Sequence, residues 1–317
     1  MNTLVTGGAG FIGCNLVRRL SDEGHAVRVL DDLSTGRTSN LVGVDADFIE
    51  GSVTDQGLLR AAMKGADVVF HQAALPSVPR SVEHPLLSNE VNVVGTLSAL
   101  VASREEGVKR FVYAASSSAY GNTPTLPKHE AMTPHPLSPY AVAKYAGERY
   151  CAAFSATYSL STVSLRYFNV FGPFQDPTSG YAAVVPAFAT ALLSDESPTI
   201  HGDGEQTRDF TYVENVVDAN LLAARADDRV SGRVVNIGCG DRITISTLFA
   251  LIQDATSATV GPSHGPARRG DVRDSLADIS LARELLGYEP AIGHREGIER
   301  TVDWYRAQQQ SAELGSV

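Results

Sequence analysis

The chain has 317 residues, 43% of them hydrophobic and 20% charged, enough to bury a large core in one α/β unit or two merged domains. Its formal net charge of −10, from 36 acidic and 26 basic residues, argues against general nucleic-acid binding. No run of about 18 apolar residues and no basic leader are present, so neither a membrane span nor a signal peptide is expected.

In chain order, residues 2–6 read as a short strand, followed by a glycine-rich turn and a helical pattern to about Glu23. A second strand at 26–30 ends in Asp31 and Asp32. Strands at 47–50, 67–70, 110–114 and 162–166 follow, separated by helical stretches, notably 86–106 and 140–158. This alternation predicts an α/β fold, a Rossmann-like doubly wound parallel sheet. Past residue 167 the pattern loosens, with helices near 182–193 and 213–226, a strand at 233–237, C-terminal helices, and a frayed tail beyond about Gln308. The division expected is a cofactor domain over 1–170, to which 209–238 returns, and a smaller, partly interleaved substrate domain over 171–317. Cys14, Cys151 and Cys239 lie outside any CxxC or Cys/His grouping and read as buried thiols of a reduced cytoplasm, with neither disulfide nor metal.

The first turn carries Gly7-x-x-Gly10-x-x-Gly13, and equally Gly8-x-Gly10-x-x-Gly13. Glycine there permits a tight turn and lets backbone approach a pyrophosphate. The helix that follows, beginning at Phe11 and Ile12, presents free N–H groups to the phosphates. Asp31 closes the second strand near the ~20-residue spacing of a carboxylate that grips adenosine ribose hydroxyls. A carboxylate there repels a 2′-phosphate, which favours NAD over NADP.

Ser138 and Pro139 open the helix at 140–158, and Tyr140 and Lys144 fall on one of its faces. Alone, such a pair is most simply a surface contact. Beside a cofactor it can make a phenol act as a base. Lowering a tyrosine pKa from ~10 to ~7 needs about 4 kcal/mol, and an ammonium ~6 Å away at an effective dielectric of ~20 supplies roughly 3 kcal/mol. The positive charge of oxidised nicotinamide supplies the remainder. The strand at 110–114 runs into Ser116, Ser117 and Ser118, hydroxyls at the carboxyl edge of the sheet, where open α/β folds bind ligands. Hydride transfer from a carbinol needs a base for the O–H proton and a donor to hold the oxygen, roles suited to Tyr140 and Ser116.

Together with His71-Gln72-Ala73-Ala74 and Asn92-x-x-Gly95-Thr96, these motifs resemble the extended short-chain dehydrogenase/reductase superfamily over most of the chain. The resemblance implies that Ala73 and Ala74 lie against the cofactor and that Asn92 is a structural or cofactor-side residue. Where many relatives read Gly-Asp-Ile/Val after the third strand, this chain has Gly51-Ser52-Val53, so Ser52 and Val53 occupy the adenine-side position without the usual aspartate.

The C-terminal half, from Leu165-Arg166-Tyr167-Phe168-Asn169 through Gly202-Asp203-Gly204 and Arg208 to Arg268-x-Gly270-Asp271, is similar to UDP-hexose 4-epimerases. The run through Ala183, Val184 and Val185 looks most like the bacterial UDP-N-acetylglucosamine/UDP-glucose 4-epimerases. By that resemblance Tyr167 contacts cofactor, Asn169 touches the nucleotide-sugar, Arg208 and Arg268 pair with its diphosphate, and Asp271 with the uridine ribose. Ser275 stands where a tyrosine narrows the pocket of glucose-restricted relatives, leaving room for an N-acetyl group. The implied partners are a UDP-sugar and a second copy of the chain, joined through the helices at 86–106 and 140–158. Val91, Leu97, Leu100, Val101, Phe154 and Tyr158 are candidates for that contact, or for ordinary core.

Four other readings share parts of this pattern. A UDP-glucuronic acid 4-epimerase would use the same chemistry. A nucleotide-sugar 4,6-dehydratase needs a carboxylic acid where Ser117 and Ser118 stand, and a UDP-glucuronate decarboxylase needs a further arginine. A non-enzymatic NAD sensor would have no use for Ser116, Tyr140 and Lys144 together.

Overall fold

The structure is a computed structural model that describes residues 1–177, 183–267 and 272–314, with side chains described through residue 311. The first part of the chain runs β1 (Asn2–Thr6), α1 (Phe11–Asp22), β2 (Ala26–Asp31), β3 (Asp47–Glu50), α2 (Gln56–Met63) and β4 (Val68–His71). It continues through α3 (Val78–Glu83), α4 (Pro85–Asn89), a π-helical turn (Glu90–Val94), α5 (Gly95–Glu105), β5 (Arg110–Ser116), α6 (Pro139–Tyr158) and β6 (Ser161–Tyr167). The remainder is β7 (Val170–Phe171), α7 (Val184–Leu193), β8 (Thr199–His201), β9 (Thr207–Arg208), β10 (Thr211–Tyr212), α8 (Val213–Arg225) and β11 (Arg233–Ile237). Last come β12 (Ile243–Thr244), α9 (Ile245–Thr256), β13 (Ser263–Gly265), α10 (Ser280–Leu286) and α11 (His294–Leu314).

Seven strands form one sheet in the order β11-β6-β5-β4-β1-β2-β3, and every pairing is parallel. Such strands need both faces covered, so the central ones are buried along most of their length. All four residues of β4 are buried, as are the last six of β6. One face packs against α1, α8 and α10, through residues such as Leu16, Val217 and Leu286. The other packs against α2, α5 and α6, through Leu59, Leu100 and Phe154. The order reverses between β1 and β4, and the crevice beyond their carboxyl ends is where such folds take ligands. A third apolar cluster, built from α7, α9 and α11 around Phe188, Leu248 and Val302, forms the C-terminal module. β11 adds to the large sheet beside β6, so the chain re-enters the first layer after visiting the second.

The helices begin where their sequence says. Ser138 Oγ accepts the Ala141 N–H at 3.2 Å with Pro139 in the first turn of α6, and Asp55 and Ser77 cap α2 and α3 in the same way. Two expectations change. Within the described residues the chain stays helical past Gln308, because α11 continues to Leu314. The helix from Pro85 to Glu105 is interrupted by its π turn, and by length and composition it is apolar enough to cross a membrane. Half of that apolar window is buried in this fold, the placement of a core helix.

Most of the side chains expected at a contact between copies face inward. Leu100 and Phe154 are core, and Val91, Leu97 and Val101 pack on the same cluster. Tyr158 alone of that group is exposed.

Candidate active site

β1 delivers Thr6 into a turn whose glycines are required by contact. Gly7 has φ +70°, and a Cβ there would sit 2.6 Å from the Ala73 N. A Cβ on Gly13 would lie 2.1 Å from the Gly7 carbonyl oxygen. α1 starts at Gly10 with no side-chain cap, so its first N–H groups are left to whatever occupies the cleft. Asp31, 7% exposed at the end of β2, accepts N–H groups from Ala9 and Leu33, both at 2.9 Å. Burial pushes its carboxyl above the ordinary value while these N–H groups pull it back.

The cleft, open to solvent, spans about 900 Å³. Gly7, Gly10, Phe11, Ile12, Gly13, Asp31 and Asp32 line one side of it, and Val53, Ala73, Ala74, Tyr140, Lys144 and Tyr167 the other parts. A side-chain-free floor, an uncapped helix start and a carboxylate at the strand end together fit a dinucleotide without a 2′-phosphate.

Two predicted residues sit behind that surface. Asn92, 1% exposed, accepts the Leu75 N–H at 2.8 Å and donates to the Leu75 carbonyl at 3.3 Å, so it fastens the segment after β4. Ser52 bonds Thr54 at 2.9 Å, while its neighbours Gly51 and Val53 face the cleft.

The chemistry-bearing groups meet at the carboxyl edge of β5. The N-terminus of α6 is placed by the Tyr140 N–H donating to Ser81 Oγ at 3.1 Å. The Tyr140 hydroxyl faces Ser116, whose side chain acts to lower its pKa. Ser116 Oγ also caps the turn Ser117–Tyr120 and lies 2.8 Å from Ser118 Oγ. Ser117 lies in that turn, half-buried. Lys144, 4% exposed, donates from Nζ to the Ala114 carbonyl at 2.8 Å and lies 5.2 Å from the Tyr113 ring centroid. Burial brings its ammonium down to about 8.

Burial raises the Tyr140 pKa and the Ser116 hydroxyl opposes it, so the phenol needs positive charge beyond that of Lys144 to act as a base.

A buried polar chain lies beneath the site. Thr6 Oγ1 is 2.8 Å from His71 Nδ1, and His71 Nε2 is 3.1 Å from Thr96 Oγ1. The Thr96 hydroxyl spends its proton on the Asn92 carbonyl at 2.8 Å, so it accepts from Nε2–H, and the Thr6 hydroxyl donates to Nδ1. The imidazole is therefore neutral, and burial lowers its pKa to about 3. On the other side, the Tyr167 hydroxyl is held by Asn220 at 2.8 Å and Gln72 at 3.2 Å.

A second pocket of about 940 Å³ is lined by Asn169, Ala183, Val184, Val185 and Arg208 among the predicted residues. Asn169 adopts φ +32° and donates to the Asp209 carbonyl at 3.1 Å. Arg208 donates from Nη1 to the carbonyls of Thr207 and Arg273, both at 2.9 Å. Ser275 is half-buried beside that strand, its N–H on the Thr207 carbonyl at 3.1 Å, and does not line the pocket. Arg268 and Asp271 lie outside the described residues. Phe188, Thr199, His201, Gln206 and Phe210 are among the other lining residues and were not anticipated. Four of them lie on or beside strands of two or three residues, too short for any periodicity to show.

The family model described as NAD dependent epimerase/dehydratase family matches residues 3–238. The chain is 42% identical over 317 residues to a UDP-glucose 4-epimerase of Mycolicibacterium smegmatis, covering 98% of this chain and 100% of that one. Among solved structures, the UDP-glucose 4-epimerase of Thermotoga maritima with UDP-glucose superposes with TM-score 0.93 at 41% identity, covering 98% and 100%. The UDP-N-acetylglucosamine 4-epimerase of Methanobrevibacter ruminantium, in complex with UDP-N-acetylmuramic acid, superposes with TM-score 0.93 at 40% identity, covering 97% and 98%. With the family model matched over residues 3–238 and the glycine cradle and Ser116–Tyr140–Lys144 cluster at the edge of this sheet, the chain belongs to the NAD dependent epimerase/dehydratase family.

Proposed function

We propose that the protein is an NAD-dependent UDP-hexose 4-epimerase that inverts C4 through a transient 4-keto sugar, acting on UDP-glucose, UDP-N-acetylglucosamine or both. The observation that carries this reading is the meeting of Tyr140, Ser116 and Lys144 at the end of β5, with Tyr140 and Lys144 in the same cleft as Gly7, Gly13 and Asp31. The similar proteins named above, epimerases of UDP-sugars, support it.

In this reading Gly7, Gly10, Gly13 and the start of α1 hold the pyrophosphate, Asp31 the adenosine ribose, and Tyr167, Ala73 and Ala74 bound the nicotinamide end. When bound, NAD supplies a hydride acceptor that returns what it takes. Tyr140 takes the proton of the 4′-hydroxyl and later gives one back, Ser116 holds the oxygen in line, and Lys144 lends positive charge to the phenolate. Asn169, Ala183, Val184, Val185 and Arg208, with Arg268 and Asp271, hold the nucleotide while the hexose turns over. Placing affinity on the diphosphate lets the sugar present either face.

Ser117 and Ser118 stand where a 4,6-dehydratase needs an acid to expel the C6 hydroxyl, so net elimination is not expected. A UDP-glucuronic acid 4-epimerase is the second reading, because the hydroxyls of Ser116, Ser117 and Ser118 are donors suited to a C5 carboxylate. Separate incubation with UDP-glucose, UDP-N-acetylglucosamine and UDP-glucuronate, followed by NMR of the products, decides. C4 inversion of one of the first two is expected. A 4-keto-6-deoxy or pentose product would overturn the epimerase reading.

We further infer a cytoplasmic homodimer. Support comes from an exposed apolar face on adjoining helices, with Val82 63%, Leu86 85%, Val94 46% and Val142 52% accessible.

A further inference from the structure

The proton-transfer helix carries a third charged group that the mechanism above does not use. Tyr140, Lys144 and Glu148 follow one another at helical spacing along α6, so all three share the face turned to the sheet. Glu148 has no exposed surface. Both its oxygens are taken by Arg166 of β6, at 2.8 Å from Nε and 2.7 Å from Nη2. Arg166 is itself 2% exposed, lies 4.6 Å from the Tyr120 ring centroid, and leaves Nη1 without a partner among the described residues. In the sheet register Arg166 sits opposite Ala115, and the next pair is Ser116 with Tyr167. The ion pair therefore underlies the catalytic edge by one residue.

Packing alone does not call for such a pair, since a buried ion pair is often replaced by apolar residues at no loss. Its position beside Lys144 offers a better reason. The Lys144 ammonium is buried, and its hydrogen bond at Nζ goes to the neutral Ala114 carbonyl. A lysine in that setting tends to give up its proton, and a neutral amine cannot support a phenolate. A carboxylate bonded directly to it would keep it charged but cancel its field at Tyr140. The fork of Arg166 holds the carboxylate one helical turn away instead.

We propose that Glu148 is a positioning residue for the proton-transfer pair: clamped by Arg166, its carboxylate keeps Lys144 protonated at neutral pH without closing an ion pair on it. The inference rests on the reading of Tyr140 and Lys144 as the acid/base pair. Burial lowers the Lys144 pKa to about 8, and Glu148 is among the charges that raise it.

Other titratable groups face the same region. They are His71 of β4, Tyr113 of β5, Tyr120 of the following turn, Glu130 behind Arg166, and Tyr140 and Cys151 of α6 itself. From the helices packed alongside come Arg80, Glu83 and Glu90, the two acids solvent-exposed, and Arg104, which lies over Tyr158 at the far end of α6. Against burial, the Cys151 side chain and Glu148 hold the Lys144 pKa up, and Glu148 is the one carboxylate of these that does so.

The chain has four lysines, Lys64, Lys109, Lys128 and Lys144, so 13Cε-lysine NMR can follow each through a pH titration of the purified protein. With Glu148→Gln the Lys144 midpoint should fall by about one pH unit, because an uncompensated Arg166 now faces it. With Arg166→Lys, which engages only one oxygen, Glu148 can turn to Lys144 and the midpoint should rise while kcat drops. The alkaline limb of the pH–rate profile should move with the midpoint in each case. Opposite shifts support the proposal. Midpoints that stay within 0.2 units of wild type (about a fivefold smaller shift) in a folded variant would overturn it, however much stability or activity is lost. Arg166→Lys, the milder change, decides alone if Glu148→Gln does not fold. The midpoint is read without turnover, so a wild-type protein that fails to epimerise UDP-glucose would count against the functional reading only.

Discussion

At the scale of single residues, Tyr140 is the group on which the chemistry turns. Tyr140→Phe removes one hydroxyl and leaves Lys144 on the Ala114 carbonyl, so the cleft and its cofactor should persist. Turnover should fall by about 10²–10⁴, the usual worth of a positioned acid/base. Steady-state kinetics beside a measurement of retained NAD checks both halves, and near-normal kcat would remove Tyr140 from the mechanism.

His71 tests the buried polar chain by pH. Its folded pKa, about 3, lies below the ordinary 6.5 because burial penalises the charged ring. Between those values the unfolded chain holds more protons, so stability rises with pH and is lost on acidification, by up to about 1.4 kcal/mol per unit. Asp209, raised to about 6, works in the opposite direction but is common to both proteins in a comparison. Urea titrations at pH 4, 5 and 7 should therefore show a shallower acid loss for His71→Leu than for wild type, from a lower starting stability. Equal slopes would mean that the ring is not neutral in the fold.

Ser275 bears on substrate size. Its N–H on the Thr207 carbonyl puts it next to Arg208, at the edge of the second pocket's strand. Ser275→Tyr should suppress turnover of UDP-N-acetylglucosamine and spare UDP-glucose. Equal losses on both would show that the side chain does not reach the sugar.

At the scale of elements, the clearest test is the turn between β1 and α1. Gly13→Ala would drive a methyl to 2.1 Å from the Gly7 carbonyl, and no side chain can move aside to relieve it. The variant should purify with NAD absent or much depleted, read by absorbance after denaturation, while folding in the same sheet. Full retention would show that the turn is not the pyrophosphate cradle.

This turn was fully legible in the sequence because three glycines, a strand and a helix had to agree. The same holds for α6, where Ser138, Pro139 and an alanine-rich run fix the start. All seven strands of the parallel sheet were legible to within one or two residues, since the central ones are largely apolar and β-branched runs bounded by polar turns. The pockets' finer parts were not. The lining at His201, Gln206 and Phe210 lies on or beside strands too short for a pattern, one of them paired with a segment 64 residues away, as in Thr199 with Ser263. Nor could helical periodicity show the π turn at Glu90–Val94, which adds one residue per turn and sets Asn92 against Leu75. That geometry is why Asn92 holds a loop.

At the scale of the whole molecule, one apolar surface has no role in the fold of a single chain. Leu86 on α4, Val94 on the π turn, Val82 on α3 and Val142 on α6 are exposed on elements that pack beside one another. The inward faces of α6 and of α5, which continues the π turn, make the core with Leu100 and Phe154, so that part of the surface is apolar on two sides. A helix of that kind is ordinarily covered on both. A symmetric dimer would cover it, because four exposed helix positions on each copy meet the same four on the other, and a stable interface needs about 800 Å² per partner. Replacing Leu86 and Val94 together by Glu places four carboxylates in that seam and costs the monomer little, since Leu86 is 85% exposed. Sedimentation velocity should show a wild-type dimer and a monomeric double variant with nearly unchanged secondary structure. A wild-type protein that sediments as a monomer at micromolar concentration would assign this face to some other partner. Because α6 carries both Val142 and the Tyr140–Lys144 pair, the monomeric variant also measures how far assembly steadies the proton-transfer helix: a fall in kcat with unaltered NAD content would tie the two faces of α6 together.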